Sequence, residues 1–490
     1  MRPFFYREYF MKFLSTICLA TLGIMGASPI WAEATDAGAA DLVAVFQTYL
    51  GSTDGVVSVA VEGADYAVTL DLTPLMSAIP VDGMTASASP LTILVTDMGD
   101  GIWNYKIDQP FSMTYAVAGQ MKNSTDYASV QVSGVFDKAL GDTSAYDVAI
   151  SGISSEQTQT DPTLGEMTVK NTVESLTWKG TATAGATGVD SVFTSTTSGI
   201  SYDMMVPVAD GAAPMTLTGT VASGTAEGSV TGYQPAAIYA LLAWAVAHPD
   251  QAMIEADKPG LKALIEAALP LFDTLAISGD YSDVAVSTPL GLFGLAQAGL
   301  EFEMNGAVPD GLVREAISLT GLTLPEGLLP PFAAPLIPQE MTLDLAVSRF
   351  DLAATAQLAL TLLDLPAGAT PPEGFDLQLL AALMPEGVVD VTLAPGGVRN
   401  ATYALTYEGN MTAGAEGMPL GTAKVTLAGI DGIMTALDAA PPEMTAQIIP
   451  MIGMAQAMGQ PGPDGALVWE IDASTPGSLM VNGMDMMGGQ

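Results

Sequence analysis

Residues 233–250 read YQPAAIYALLAWAVAHPD, and from Ala236 to Ala247 twelve apolar residues follow one another without a break. The chain before them alternates apolar and polar positions. This run therefore decides whether the protein crosses a membrane or lays helices on a sheet. Twelve residues make a helix of about 18 Å, well short of the ~30 Å hydrocarbon layer of a bilayer. Just beyond, DKPGLKALIEAALPLF (257–272) sets Leu261, Ile265, Ala268 and Leu269 on one helical face and Lys262 and Glu266 on another, with Pro259 at the helix start. The segment from Pro235 to Phe272 reads as helices covering an apolar surface, not as a membrane span.

The surface to be covered lies on both sides of it in sequence. From Val56 to about Gly232 the pattern has period two, in VVSVAVEG, YAVTLDL, LTILVTD, IWNYKI, FSMTYAV, YASVQVSGVF and YDVAISGI, separated by Gly, Asp and Pro. MTVKNTVESLTWKG and GISYDMMVPV continue the pattern. Such spacing predicts antiparallel strands joined by short turns, each with one dry face and one face of Ser, Thr, Asp and Glu. A one-sided sheet needs a second layer. After the helices the theme returns. GLEFEMNG, EMTLDLAVSRFDLAA, GVVDVTLAP, ATYALTYEG and GTAKVTLAG alternate as strands. GFDLQLLAALMPEG and DGIMTALDAAPPEMTAQIIPMIGMAQAMGQ read as helices, and ALVWEIDASTPGSLMVNG as a closing hairpin. Pro, an acid and Gly in succession at Pro309, Pro325, Pro372, Pro385 and Pro463 mark tight turns.

These patterns divide the chain into 1–34, an export signal; 35–232, a β-rich half; 233–274, a helical cover; 275–430, a second β-rich half; 431–460, a Met-rich helical segment; and 461–490, a hairpin and tail. The expected fold class is β-rich α+β, with one or two large curved antiparallel sheets and amphipathic helices packed on the concave apolar face. The signal reading rests on Arg2, Arg7 and Lys12 ahead of FLSTICLATLGIMGA, and on small residues around SPIWAEA as cleavage options; Met11 is an alternative start. Cleavage would remove Cys18, the one cysteine, leaving no disulfide or thiolate chemistry.

With 53 acidic against 14 basic residues, the formal net charge is -39. Such a surface repels phosphate backbones, so nucleic-acid partners are excluded. Catalysis finds little support. His248 is the one histidine, placed where a helix breaks at Pro249, and suits a helix C-terminus. No G-x-S-x-G elbow accompanies it. One histidine and no mature cysteine leave no zinc or iron set, and no cofactor is expected. DMGDG (97–101) and PGPDG (461–465) offer oxygens for calcium but also serve as ordinary turns. The chain has 27 methionines. Met444, Ile448, Met451, Ile452, Ala455 and Met458 form a stripe at helical spacing, and Met484, Met486 and Met487 follow in the tail. Thioethers adapt to varied apolar shapes and also suit cuprous copper, although core filling is their commonest use.

Two stretches, STPLGLFGLAQAGLEFEMNGAVPD with PLIPQEMTLDLAVSRFDL and the ending GQPGPDGALVWEIDASTPGSLMVNGMDM, resemble an exported alphaproteobacterial family catalogued as domain of unknown function 2125. The resemblance rests on the signal, the Ser/Thr/Gly-rich strands and the hairpin with VNG. It implies an envelope protein built on a large β-sheet and brings no catalytic residues. The expectation is a non-enzymatic periplasmic protein that holds a lipid or other amphiphile between sheet and helices, lined by Tyr239, Trp244, Ile448, Met451 and Met458. The alternative is an acidic structural protein with a solid core and an envelope-protein partner. Neither retains a transmembrane span after signal cleavage.

Overall fold

The structure, a computed structural model, describes residues 33–79, 81–161, 165–208, 214–414 and 418–486. Most of the segment 1–34 read as an export signal, with Cys18, and also Met487 and the Met444 side chain, lie outside the described residues. Strands account for 52% of the described residues and helices for 23%, which makes the fold β-rich α+β. It comprises two units. One runs from the N-terminus to Thr218 and takes in Thr225–Thr274 and Leu360–Thr370; the other holds Gly219–Gly224, Leu275–Ala359 and Pro371–Gln490.

In chain order the first unit contains α1 (Asp36–Leu50), β1 (Val57–Glu62), β2 (Asp65–Leu70), α2 (Thr73–Ser77), β3 (Met84–Ala88) and β4 (Leu91–Asp97). Six long strands follow: β5 (Ile102–Val117), β6 (Met121–Asp137), β7 (Asp142–Asp161), β8 (Gly165–Ala184), β9 (Val189–Val206) and β10 (Met215–Tyr233), of which Gly219–Gly224 is counted with the second unit. Then come α3 (Pro235–Ala247), α4 (Gln251–Ala256) and α5 (Lys258–Ala268). The ladder β1–β2–β4–β5–β6–β7–β8–β9 is antiparallel throughout, and β3 pairs with the second half of β5.

The best-buried core sits at one end of this sheet. Leu42, Phe46 and Leu50 of α1 meet Val68 and Leu70 of β2, Ile93 and Val95 of β4, Trp103, Tyr105 and Ile107 of β5, and Phe136 of β6. The spacing of Ala39, Leu42, Phe46 and Tyr49 puts all four on one side of the helix, and all four are buried. The Thr35 hydroxyl accepts the Gly38 amide and caps the start. Each of the larger side chains stabilises the fold by about 1.5–3 kcal/mol through burial. Sequence reading placed no helix here, although this is the element on which the core is built.

The strands also run longer than their alternating segments. IWNYKI and FSMTYAV are one strand, β5, which passes through Pro110 where its register with β6 shifts. Proline has no N–H to give the ladder, and a bulge is where that loss is tolerated. The irregularity continues sideways. Pro110, Ala128, Gly152, Glu174 and Gly199 are the residues passed over as the ladders step across β5 to β9. Gly152 and Gly199 have φ of 61° and 60°. A Cβ on Gly152 would come 2.7 Å from the Ala128 Cβ, and one on Gly199 would run into the Glu174 side chain. The register itself shifts here only between β5 and β6; from β6 to β9 each ladder steps over one opposed pair with its register kept, so that regular pairing is interrupted along a line that crosses five strands.

The second unit is built on β11 (Thr274–Thr288), β12 (Gly291–Asn305), β13 (Gly311–Thr320) and β14 (Glu340–Phe350). Helices α6 (Leu352–Leu360) and α7 (Phe375–Leu383) precede β15 (Val388–Arg399), β16 (Ala404–Gly414) and β17 (Leu420–Ala428). Next are α8 (Ile430–Asp438) and α9 (Pro442–Met458), then the short strands β18 (Gln460–Pro461), β19 (Leu467–Asp472), β20 (Met480–Val481) and β21 (Met484–Asp485). The ladder β12–β13–β14–β15–β16–β17–β19 is antiparallel, and β20 pairs with β19 in the expected hairpin. The stretch EMTLDLAVSRFDLAA, read as one strand, ends as strand at Phe350 and turns into α6 at Leu352, after Arg349 adopts a φ of 64°.

Candidate binding site on the apolar face of the second unit

Residues paired directly across an antiparallel ladder share a face. The registers therefore set Leu300, Ile317 and Leu343 in one row, and Leu319, Met341, Val398, Leu405, Leu427 and Leu467 in another. Between them run Tyr407, Val425 and Trp469, with Leu345 and Leu393 side by side. Glu315 is a charged interruption of this face. The opposite face carries Thr342, Asp344, Thr406, Glu408, Thr422 and Lys424. There Arg314 bridges Glu301 at 2.9 Å and Asp344 at 2.7 Å, pinning β12, β13 and β14 from the wet side.

A dry face this wide would be hidden in a solid core, yet it is not. Leu300 is 45% exposed and Leu343 43%, with Met341 and Leu345 also exposed. The contrast with the first unit is sharp, where Leu42, Phe46 and Val68 are completely or almost completely buried. At the other end of the same face, the Trp469 indole N–H donates to the Ala455 carbonyl at 2.9 Å, fixing the last turn of α9 there. Asn482 fastens that end further, donating to the carbonyls of Met458 at 2.7 Å and Val468 at 2.9 Å. Pro450 sits inside α9 and removes an N–H from its ladder.

Of the five residues chosen from sequence, three lie on α9. Met458 is half-buried beside the anchored end, whereas Ile448 is 43% and Met451 65% exposed. Their exposed neighbours Ile449 and Met454 make that stretch of helix apolar on its open side too. The other two belong to the first unit and are engaged by protein groups. Tyr239 stands edge-to-face against Tyr49 of α1, ring centroids 6.2 Å apart. Burial pushes its phenol far above the usual range, with the Asp142 carboxylate adding to the effect. Leu242, one turn on, packs against the core. Trp244 donates its indole N–H to Asp257 at 2.7 Å and stacks on His248 at 4.1 Å. His248 caps α3: its Nδ1 lies 2.7 Å from the Trp244 carbonyl, so that nitrogen carries the proton and donates. Its Nε2 is 3.5 Å from the same Asp257 oxygen. Both ring nitrogens face protein groups, a structural arrangement.

The exposed row on β12 to β14 escaped sequence reading because alternation reports which side of a strand is apolar, not whether anything lies on it. Among the described residues, no group of three or more His, Cys, Asp and Glu is placed to hold a metal ion, and no helix is long and apolar enough to cross a membrane. No family model matches the chain, and no curated protein or solved structure is detectably similar to it.

Proposed function

We propose that the protein is a non-catalytic envelope protein, exported to the periplasm, that binds the apolar part of a lipid or other amphiphile against the dry face of the second unit. The observation that carries this reading is the exposed row of Leu300, Met341, Leu343 and Leu345 on an otherwise one-sided sheet. Contiguous exposed apolar surface is uncommon on folded proteins and goes with ligand or partner sites. In the same proposal α9 acts as an adaptable cover, with Ile448, Met451 and Met458 facing the ligand. Unbranched thioethers conform to acyl chains of differing length and saturation. The net charge of -39 disfavours anionic headgroups, so the fitting amphiphile is neutral, zwitterionic or cationic. Membership of the family that the sequence resembles belongs to this proposal and supplies its envelope setting.

Native mass spectrometry of the protein isolated from its own envelope tests it. The expected spectrum shows a reproducible adduct of lipid mass, stripped by detergent. A bare polypeptide mass under gentle ionisation would contradict the proposal and favour the solid-core alternative.

A further inference from the structure

A second site of different chemistry lies on the wet face of the first unit's sheet. Here an open cleft of about 770 Å³ is sunk among β4 to β9. That volume falls within the ~300–1,000 Å³ usual for small-molecule pockets. Its shape follows from side-chain size. The register puts Lys106, Ser133, Asp147, Lys179 and Thr194 in one cross-strand row, and Asn104, Val135, Ala145, Thr181 and Val192 in the next. Small residues, Ser133 and Ala145, sit in the middle, with long lysines to either side. Behind this floor Gly134 and Gly180 lack side chains, and the rings of Tyr105 and Tyr146 lie over them on the dry face.

Its polar groups differ from those of the neighbouring rows. On the same face, Thr177 pairs with Thr196 at 2.6 Å, Ser175 with Ser198 at 2.7 Å and Thr172 with Ser201 at 2.7 Å. These hydroxyls satisfy one another. In the cleft, the side chains of Asn104, Ser133, Thr181 and Thr194 make no hydrogen bond to protein among the described residues. Both lysines are already engaged, Lys179 with Asp147 at 2.8 Å and Lys106 with Asp108 at 3.5 Å, and Asp65 accepts from the Thr96 hydroxyl at 2.6 Å. Most of the accessible lining is nevertheless apolar, with Leu94 and the 54% exposed Val192 in it, and the polar groups are set into that surface.

We infer that this cleft binds a neutral saccharide of two or three sugar units. Each sugar hydroxyl both donates and accepts, and the cleft offers free hydroxyls, an amide and paired charges that do both. The C–H face of a pyranose ring matches Leu94 and Val192. A lipid chain would leave these polar groups unpaired, which costs about 1–3 kcal/mol for each one buried. A free anion would compete with the carboxylates already on the lysines and would meet the field of an acidic protein.

Saturation-transfer NMR on the whole chain tests the inference, with maltotriose, cellotriose and triacetylchitotriose as probes and trigalacturonate as the charged control. At least one neutral trisaccharide should receive saturation from the protein. That signal should fall at least tenfold in Ser133→Phe, which fills the floor, and in Asn104→Leu, which keeps the strand but removes the amide. Circular dichroism melts confirm that both variants fold. Silence from all three neutral sugars, binding of the uronate alone, or an undiminished signal in both variants would each overturn it.

Discussion

A group of tyrosines in the first unit shows how burial of single residues fixes the conditions under which the protein is stable. Burial pushes the phenols of Tyr105, Tyr146 and Tyr233 up to about 12, and the carboxylate of Asp142 adds to the effect in all three. Asp142 is itself raised by burial, opposed by its hydrogen bond from the Thr143 amide. A phenol whose folded value lies above its unfolded ~10 stabilises the fold fully below pH ~10 and loses that contribution as pH rises toward 12. Alkaline unfolding should therefore fall in this window, with phenolate absorbance and loss of strand signal rising together. Tyr105→Phe, which forfeits only a long 3.4 Å hydrogen bond to Thr143, should move the midpoint upward. Free titration of these tyrosines near pH ~10 without unfolding would show that they are not enclosed.

The line of interrupted pairing across β5 to β9 and the capped helix α1 are the two features of the first unit most open to test at the level of elements. Gly152→Ala should be markedly worse than Gly141→Ala, although both glycines have positive φ, 61° and 65°. Each variant costs about 1–2 kcal/mol for the left-handed conformation. Only Gly152 also meets a neighbouring strand, at Ala128, whereas Gly141 has nothing within 4 Å. Equal denaturation midpoints for the two would show that the close approach of Ala128 to Gly152 carries no weight in the fold. Most strands were legible because their dry faces alternate cleanly, as Val68 and Leu70 do in β2. Their full lengths were not, because toward the far ends of β6 and β7 the inward positions become Asn123, Thr125, Ser155 and Gln157. Pairing continues there on backbone hydrogen bonds without the apolar signal. The miss at α1 has a different cause. Its repeat of Ala39, Leu42, Phe46 and Tyr49 is in plain view after a capping Thr35, but it sits directly behind a segment read as an export signal and in front of a long run of strands.

At the scale of the whole molecule the two units use their dry faces differently. The first closes its face near α1 with Phe46 and Phe136, whereas the second leaves Leu300 and Leu343 in contact with solvent. The Met-rich stripe on α9 was readable from sequence as a helix face, and Trp469 gives it an anchor that no spacing rule announces. Composition also foretold the wet faces, since a chain with so few bases keeps strands soluble through Ser, Thr and acids. Whether a dry face is covered depends on tertiary placement, which periodicity does not encode. Photocrosslinking shows whether an amphiphile occupies the open face of the second unit. A zwitterionic lipid with a diazirine near the acyl terminus would be irradiated with the full-length protein and the adducts mapped by peptide mass spectrometry. Adducts are expected on peptides containing Leu300, Met341, Leu343 and Leu345, suppressed when Leu300 and Leu343 are both changed to Asp. Labelling confined to the wet strand faces, or none above that of the double variant, would contradict it.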